Sequence, residues 1–209
     1  MRKLLHINAA PRGDESRTLR VSAAFLETFR SARPGCAVDE LNLWEEKLPP
    51  LTVPVVRGKY ALLGGKELEG PMRDAWAGVL RHIERFLSAD AFLVSTPMWN
   101  FCVPYVLKHY LDVILQPRYL FRYTATGVEG LAKGRPMVVV SSRGGDYAPG
   151  SPMRSYDFLE PYLRTAFGFA GIEGIVFVAA QPMDAAGPEA AETALEKAKT
   201  LAREAARKL

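Results

Sequence analysis

Apolar residues along the chain fall into short runs that are separated by segments with helical spacing. Four runs are almost continuously apolar and predict buried strands, at residues 4–10, 89–95, 136–142 and 174–179. A fifth run, residues 38–43, nearly alternates apolar and polar positions, which is typical of a half-exposed edge strand. The pattern therefore predicts five strands, of which one lies at an edge.

Helical spacing of apolar residues predicts five helices between and after these strands. They cover residues 16–33, 71–88, 103–116, 156–169 and 188–208. Ser16 is a natural N-cap for the first helix, and Pro34-Gly35 follows its end. Pro161 lies inside the fourth predicted helix, where we expect it to interrupt and kink the helix.

Two segments break the alternation of strand and helix. Residues 44–70 contain several Pro-rich and Gly-rich patches, so we expect an irregular excursion that includes one helical turn. Residues 117–134 combine an aromatic-rich half with a pair of closely spaced glycines, Gly127 and Gly130, and a polar end, which predicts an inserted hairpin.

The order of elements predicts an α/β fold with a parallel sheet and helices on both faces. Right-handed crossovers and five strands favour a flavodoxin-like three-layer sandwich with strand order 2-1-3-4-5. In that order the second strand lies at an edge, in agreement with its half-polar pattern. Nothing in the composition marks a boundary, so residues 1–209 are interpreted as one domain.

Composition and charge exclude several classes of protein. Of the 209 residues 48% are hydrophobic and 24% charged, which is typical of a soluble globular protein. The net charge of +4 is spread along the chain without a basic cluster, so nucleic-acid binding is not indicated. Cys36 and Cys102 do not form a disulfide framework, and no signal peptide or membrane span is evident. We therefore expect a cytoplasmic protein that binds neither membranes nor nucleic acid.

Ligands of such sheets bind at the carboxyl ends of the strands, and three of these ends are unusual. The first is A-A-P-R-G-D-E-S-R-T, residues 9–18, where the amides of Ser16, Arg17 and Thr18 begin a helix and suit a phosphate. Taken alone, this segment favours a simpler interpretation in which Ser16 only caps the helix. The segment matches neither G-x-G-x-x-G nor a Walker A loop.

The second strand end is T-P-M-W-N-F, residues 96–101. Trp99 and Phe101 offer flat apolar surfaces, and Asn100 offers a donor and acceptors, so a planar heterocycle would suit them. Ordinary core packing is the alternative for the aromatic residues, although it explains Asn100 less well.

The third strand end is S-S-R-G-G-D-Y, residues 141–147. Gly144 and Gly145 allow the backbone to approach a ligand closely, although this segment taken alone favours a plain turn. The predicted fold brings all three strand ends to one cleft. One segment that suits a phosphate and two that suit a flat ring together indicate flavin mononucleotide, FMN.

The sequence resembles the FMN-dependent NADH:quinone oxidoreductase and azoreductase family over nearly its whole length. The resemblance rests on Pro-Arg-Gly and Ser-Arg-Thr near the first helix, on PMWNFCVPYVLKHYLD (97–112), on LFRYTATGVEGL (120–131) and on SRGG (142–145). It implies FMN as cofactor, NADH or NADPH as hydride donor, and quinones and azo compounds as acceptors. It also implies a homodimer with the cleft near the subunit boundary.

The resemblance assigns candidate cofactor-binding residues along these motifs. They are Ala10, Ser16, Arg17, Thr18, Pro97, Met98, Trp99, Asn100, Phe101, Ser142, Arg143, Gly144 and Gly145. Family members often have a Ser at the position of Ala10, so one hydrogen bond to the phosphate is missing here. The candidate apolar walls for the acceptor are Tyr119, Leu120, Phe121 and Tyr162.

The chemistry is expected to reside in the flavin, so no catalytic side chain and no metal site are predicted. His6, His82 and His109 are interpreted as structural or surface residues. Two alternatives remain open at this point: a flavodoxin-like carrier of single electrons and a non-catalytic binding module. Electron carriers are commonly acidic, whereas this chain is basic. A phosphatase on a similar fold is disfavoured because neither cysteine follows the first strand.

Overall fold

A five-stranded parallel sheet forms the centre of the computed structural model, which describes residues 1–209. The strands of the chain are β1 (Lys3–Asn8), β2 (Ala37–Asn42), β3 (Ala91–Pro97), β4 (Phe121–Thr124), β5 (Gly127–Gly130), β6 (Met137–Ser142) and β7 (Val176–Ala180). The order across the sheet is β2-β1-β3-β6-β7, with every adjacent pair parallel. This order confirms the predicted flavodoxin-like topology. The remaining strands, β4 and β5, form the antiparallel hairpin that was predicted within residues 117–134.

Six helices cover the two faces of the sheet. They are α1 (Arg17–Ala32), α2 (Val53–Leu63), α3 (Pro71–Leu87), α4 (Tyr105–Ile114), α5 (Leu159–Phe169) and α6 (Gly187–Lys208). Side chains of α1 and α6 form one hydrophobic core with the sheet, and those of α3, α4 and α5 form the other. No helix combines the length and the apolar character needed to cross a membrane.

The continuous apolar pattern of the central strands follows from these two cores. In β1, Leu4 packs into the core of α1 and α6, whereas Leu5 and Ile7 pack into the opposite core. Side chains alternate between the faces of a strand, so a strand that is covered on both sides needs apolar residues at nearly every position. Helices cover both faces of the sheet, whereas the carboxyl ends of the strands stay open to solvent.

The expectation of an irregular segment at residues 44–70 was wrong for its central part. Residues 53–63 form α2, a helix of 11 residues that packs against α3. The indole of Trp76 donates a hydrogen bond to the carbonyl of Val55 at 2.9 Å, and a Cβ at Gly58 would lie only 2.2 Å from the indole nitrogen. Gly58 therefore allows a close approach of two helices, which stabilises α2 in a way that its local sequence does not show.

The expected kink at Pro161 was also wrong. α5 begins at Leu159, after a separate 3-10 turn over residues 154–156, and continues without a break to Phe169. Pro161 is thus the third residue of the helix. Amides in the first turn have no acceptor within the helix, so a proline there removes no hydrogen bond.

Candidate functional site

A cleft of about 260 Å³ opens at the carboxyl edge of the sheet, where the loops after β1, β3, β6 and β7 meet. It is lined by Pro11, Arg12, Ser16, Arg17, Pro97, Met98, Trp99, Ser142, Arg143, Gly144, Met183 and Asp184. The structure thus brings together residues from each of the three strand ends that the sequence singled out.

The start of α1 forms one end of the cleft. Ser16 is the N-cap, and its hydroxyl accepts the amide of Leu19 at 3.2 Å. The amides of Arg17 and Thr18 make no hydrogen bond within the chain. A hydroxyl that accepts one bond can still donate its own proton, so capping and anion binding by Ser16 are compatible. Together with the positive end of the helix dipole, these groups suit a phosphate.

Thr18 contributes to this end through its backbone alone. Its side chain is fully buried, and its hydroxyl lies 2.7 Å from the hydroxyl of Ser142, which ties α1 to the end of β6. Ala10 is buried as well and does not line the cleft; its amide donates to the side-chain oxygen of Asn8 at 2.9 Å.

The T-P-M-W-N-F segment ends in a tight turn of unusual backbone conformation. The amide of Trp99 donates to the carbonyl of Cys102 at 2.9 Å, and that of Cys102 donates back at 3.0 Å. Between them, Asn100 and Phe101 have φ angles of 45° and 71°. Positive φ is tolerated by Asn but is strained for Phe, and such strain clusters at functional sites. The turn leaves the amides of Asn100 and Phe101 without a partner in the chain, and the Trp99 ring partly exposed.

In the S-R-G-G segment, Arg143 differs from the other predicted contacts. Its guanidinium is buried and donates to the carboxylate of Asp157 at 2.8 Å, so it is committed to an internal ion pair. The amides of Gly144 and Gly145 make no hydrogen bond within the chain. This segment therefore offers backbone donors to the cleft, while the charge of Arg143 stabilises the structure beneath it.

Sequence reasoning did not assign four residues that line the cleft. Pro11 and Arg12 lie in the first of the three segments, residues 9–18, which was predicted to bind the ligand although these two residues were not named as contacts. Met183 and Asp184 follow β7, the last strand of the sheet. The rule that ligands bind at carboxyl ends of parallel strands applies to this strand too, and it is the signal that could have identified them.

A second and more open cavity of about 590 Å³ adjoins the first through Trp99, which lines both. Its other lining residues are Asn100, Cys102, Val103, Pro104, Tyr105, Lys108 and Tyr162. Burial raises the pKa of Tyr162 to about 12, so its hydroxyl stays protonated at neutral pH and remains a hydrogen-bond donor.

The other three predicted wall residues do not line either cavity, and the structure corrects their placement. Leu120 is fully buried in the hydrophobic core, and Phe121 is 5% exposed and packs on Phe169 with ring centroids 4.7 Å apart. Tyr119 packs against Trp76 at 6.4 Å. These side chains stabilise the base of the β4–β5 hairpin, and within one chain they present no wall to an acceptor.

The histidines lie outside the cleft. His6, within β1, is buried with its Nε2 atom 2.8 Å from the hydroxyl of Ser95, and burial lowers its pKa to about 4. Burial likewise lowers the pKa of His82, while His109 lies with its Nε2 atom 2.9 Å from the carbonyl of Pro49. No group of His, Cys, Asp or Glu side chains is arranged to hold a metal ion.

The donors around the cleft fit a planar heterocycle that carries a phosphate. The unpaired amides of Arg17 and Thr18 belong to the start of α1, where Arg17 lines the cleft. Those of Asn100, Gly144 and Gly145 belong to the other two loops, where Gly144 lines the cleft and Asn100 lines the adjoining cavity. The first pair suits an anion, and the second set suits the carbonyls and ring nitrogens of a flat ring. The exposed face of Trp99 supplies apolar surface beside them.

Comparison with known families assigns residues 2–205 to the family described as having a flavodoxin-like fold. Two curated relatives are named FMN-dependent NADH:quinone oxidoreductases. The protein from Nitratidesulfovibrio vulgaris is 38% identical over 98% of this chain and 100% of its own. The protein from Bradyrhizobium diazoefficiens is 39% identical over 87% of this chain and 88% of its own.

Solved structures agree with these relatives. An azoreductase from Bacillus anthracis superposes with a TM-score of 0.91 at 27% identity and covers both chains completely. An FMN-dependent NADH-azoreductase from the same organism, crystallised with FMN, gives a TM-score of 0.85 at 30% identity over 99% of this chain and 100% of that one.

Proposed function

This chain belongs to the flavodoxin-like family of FMN-dependent NADH:quinone oxidoreductases, and we propose that it binds FMN and uses NADH to reduce quinones and aromatic azo compounds. When bound, FMN supplies the capacity to take up and release two electrons as a hydride. The observation that carries the proposal is that residues of three separate loops line one cleft, with the unpaired amides of Arg17 and Gly144 in it and that of Asn100 in the adjoining cavity.

The start of α1 is the part of the cleft that would hold the phosphate of FMN. The N-cap and the first two residues of α1 provide four groups for it: the hydroxyl of Ser16, the amides of Arg17 and Thr18, and the Arg17 guanidinium. The dipole of a 16-residue helix adds a partial positive charge at the same point. These groups bind and orient the ligand without taking part in its chemistry.

Trp99 and the Gly144–Gly145 backbone are the groups that would hold the ring system. Amides of these glycines are directed donors that stabilise negative charge on a ring edge. The second cavity, with Trp99 and Tyr162 in its lining, lies beside this position and is assigned to the nicotinamide and then to the acceptor. One shared cavity requires that the first product leave before the acceptor enters, which is a ping-pong sequence.

The two alternatives, a single-electron carrier and a non-catalytic module, are not favoured by the relatives, which are named as enzymes. We further propose a cytoplasmic location. Its support is that Cys36 and Cys102 are both free thiols, as is usual in a reducing compartment.

The test combines cofactor binding with turnover. FMN titrated into the apoprotein should lose fluorescence on binding, and the complex should oxidise NADH with benzoquinone or an azo dye, with parallel double-reciprocal plots. Arg17→Gln should weaken FMN binding roughly tenfold or more, since it removes a charge-assisted hydrogen bond. Arg20→Gln is the matched control, because Arg20 does not line the cleft and its loss should leave the affinity unchanged.

Each rival class has its own outcome in this experiment. A carrier of single electrons would bind FMN without sustained NADH oxidation, and a non-catalytic module would bind no FMN. Either result contradicts the proposed reaction.

A homodimer is also proposed, because an apolar stripe of α2 has no partner in the chain. Val53, Val56, Tyr60 and Leu63 recur at helical spacing and are 63%, 43%, 68% and 39% exposed. Side chains at this spacing share one face of a helix, and contiguous exposed apolar surface is typical of interaction sites.

Sedimentation or light scattering should report twice the monomer mass, and Val56→Glu should shift the protein toward monomer. Leu201→Glu is the matched control, since Leu201 on α6 is similarly exposed, at 41%, and belongs to another surface. A native monomer, or equal effects of the two variants, would contradict the assignment of this stripe.

A further inference from the structure

All three arginines that line the cleft are already paired with carboxylates of the chain, Arg143 with the buried Asp157 and the other two near the start of α1. Arg17 Nη1 lies 2.6 Å from Asp184 Oδ1, and Arg12 Nη2 lies 3.2 Å from Glu15 Oε2. The positive charges that face an incoming phosphate are therefore neutralised in the ligand-free protein. Arg12 and Glu15 are neighbours in one loop, whereas Asp184 lies in the loop after β7, the outermost strand on the other side of the sheet.

The position of Asp184 does not depend on its charge. The amides of Met183, Asp184 and Ala185 all donate to the carbonyl of Gly144, at 3.2, 3.0 and 3.0 Å. These bonds hold the loop after β7 against the Gly144 backbone. The carboxylate then lies directly over Gly144, since a Cβ there would be 2.9 Å from Asp184 Oδ2. Its one side-chain partner is Arg17, so removing the charge leaves the backbone bonds intact.

We propose that Asp184 is an internal competitor of the FMN phosphate and sets a lower affinity for the cofactor. The inference rests on the proposed function, because it takes the anion at the start of α1 to be the phosphate of FMN. Arg17 has to exchange a carboxylate for the phosphate, and the displaced carboxylate stays in the same cleft. Two anions that compete for the same guanidinium in one cleft repel each other, so the bound phosphate is destabilised.

The opposite role makes the opposite prediction. If Asp184 instead held Arg17 in place for the phosphate, loss of its charge would weaken FMN binding. Exposure limits the size of either effect, since the Asp184 side chain is 70% exposed and that of Arg17 is 37% exposed. We expect Asp184→Asn to tighten FMN binding about three- to tenfold at low ionic strength.

The experiment compares FMN with riboflavin, which has the same ring and no phosphate. Dissociation constants of both are measured by flavin fluorescence for the native protein, Asp184→Asn and Glu192→Gln, at low and high salt. Glu192 is the matched control, an exposed carboxylate on α6 that does not line the cleft and lies 3.8 Å from Arg20. Thermal unfolding of each protein verifies that the fold is retained.

The expected result is tighter FMN binding by Asp184→Asn alone, unchanged riboflavin binding, and a smaller difference at high salt. Unchanged or weaker FMN binding overturns the inference while leaving the proposed function in place. Equal tightening of riboflavin overturns it too, because the gain would not involve the phosphate. Failure of the native protein to bind FMN overturns the proposed function itself, and this inference with it.

Discussion

Replacing Arg143 with Met should lower the free energy of unfolding by about 3 kcal/mol, since a buried carboxylate then loses its main cationic partner. Arg143 and Asp157 are 1% and 0% exposed in their side chains and 2.8 Å apart. Asp157 also accepts the amides of Leu159 and Glu160 at the start of α5, each at 3.1 Å. Arg154 stays 3.1 Å from the Asp157 carboxylate, but its side chain is 42% exposed. Desolvating a charge is costly, so a buried carboxylate that keeps only this exposed cation destabilises the fold.

Urea denaturation of the native protein and of two variants measures this effect. Arg122→Met is the matched control: Arg122 is paired with Glu129 at 2.7 Å, but its side chain is 60% exposed. An exposed pair contributes about 0–1 kcal/mol, so the control should lose little. If both variants lost the same free energy, burial would not be the reason for the importance of Arg143.

Lowering the pH should destabilise the protein through His6 by about 2–3 kcal/mol between neutral pH and pH 4.5. Burial lowers the pKa of His6 from 6.5 to about 4, while the nearby charges have smaller effects: Glu40 raises the pKa and Arg30 lowers it. The unfolded chain therefore binds a proton below pH 6.5 that the folded chain does not bind until about pH 4. Stability is lost as the pH falls through this window and levels off below it.

The variant His6→Gln isolates this contribution. Its side chain can still bond to the hydroxyl of Ser95 but does not titrate. The free energy of unfolding of the native protein minus that of the variant should fall between pH 7 and pH 4.5. The buried His82, whose pKa is also lowered, is present in both proteins and cancels in the difference. A difference that does not change with pH would show that His6 is not buried in its neutral form.

The sequence was most informative where a pattern reflects the environment of a whole element. Continuous apolar runs predicted the central strands because both faces of the sheet are covered, and the near-alternation of residues 38–43 predicted the edge strand. The three candidate loops followed from the topology, since carboxyl ends of parallel strands lie at one edge. The assignment of individual cofactor contacts stays a prediction.

Segments stabilised by distant partners were the ones that the sequence misjudged. α2 forms among prolines and glycines because Gly58 lets it pack on Trp76, 18 positions further along the chain. Leu120 and Phe121 were predicted to be apolar walls for the acceptor, yet the hairpin base buries them. Local spacing reports which face of an element is apolar, and it does not report what covers that face.

By itself, then, the sequence determined the class of fold, the strand order, and the edge of the sheet where a ligand would bind. Only the tertiary structure decided where individual charges point: Arg143 is directed into the protein toward Asp157, and Arg17 toward Asp184, 167 positions away. The physical reason is that hydrophobic patterning repeats along an element and averages over many residues. The direction of one charged side chain depends on a single partner, which the fold alone brings within reach.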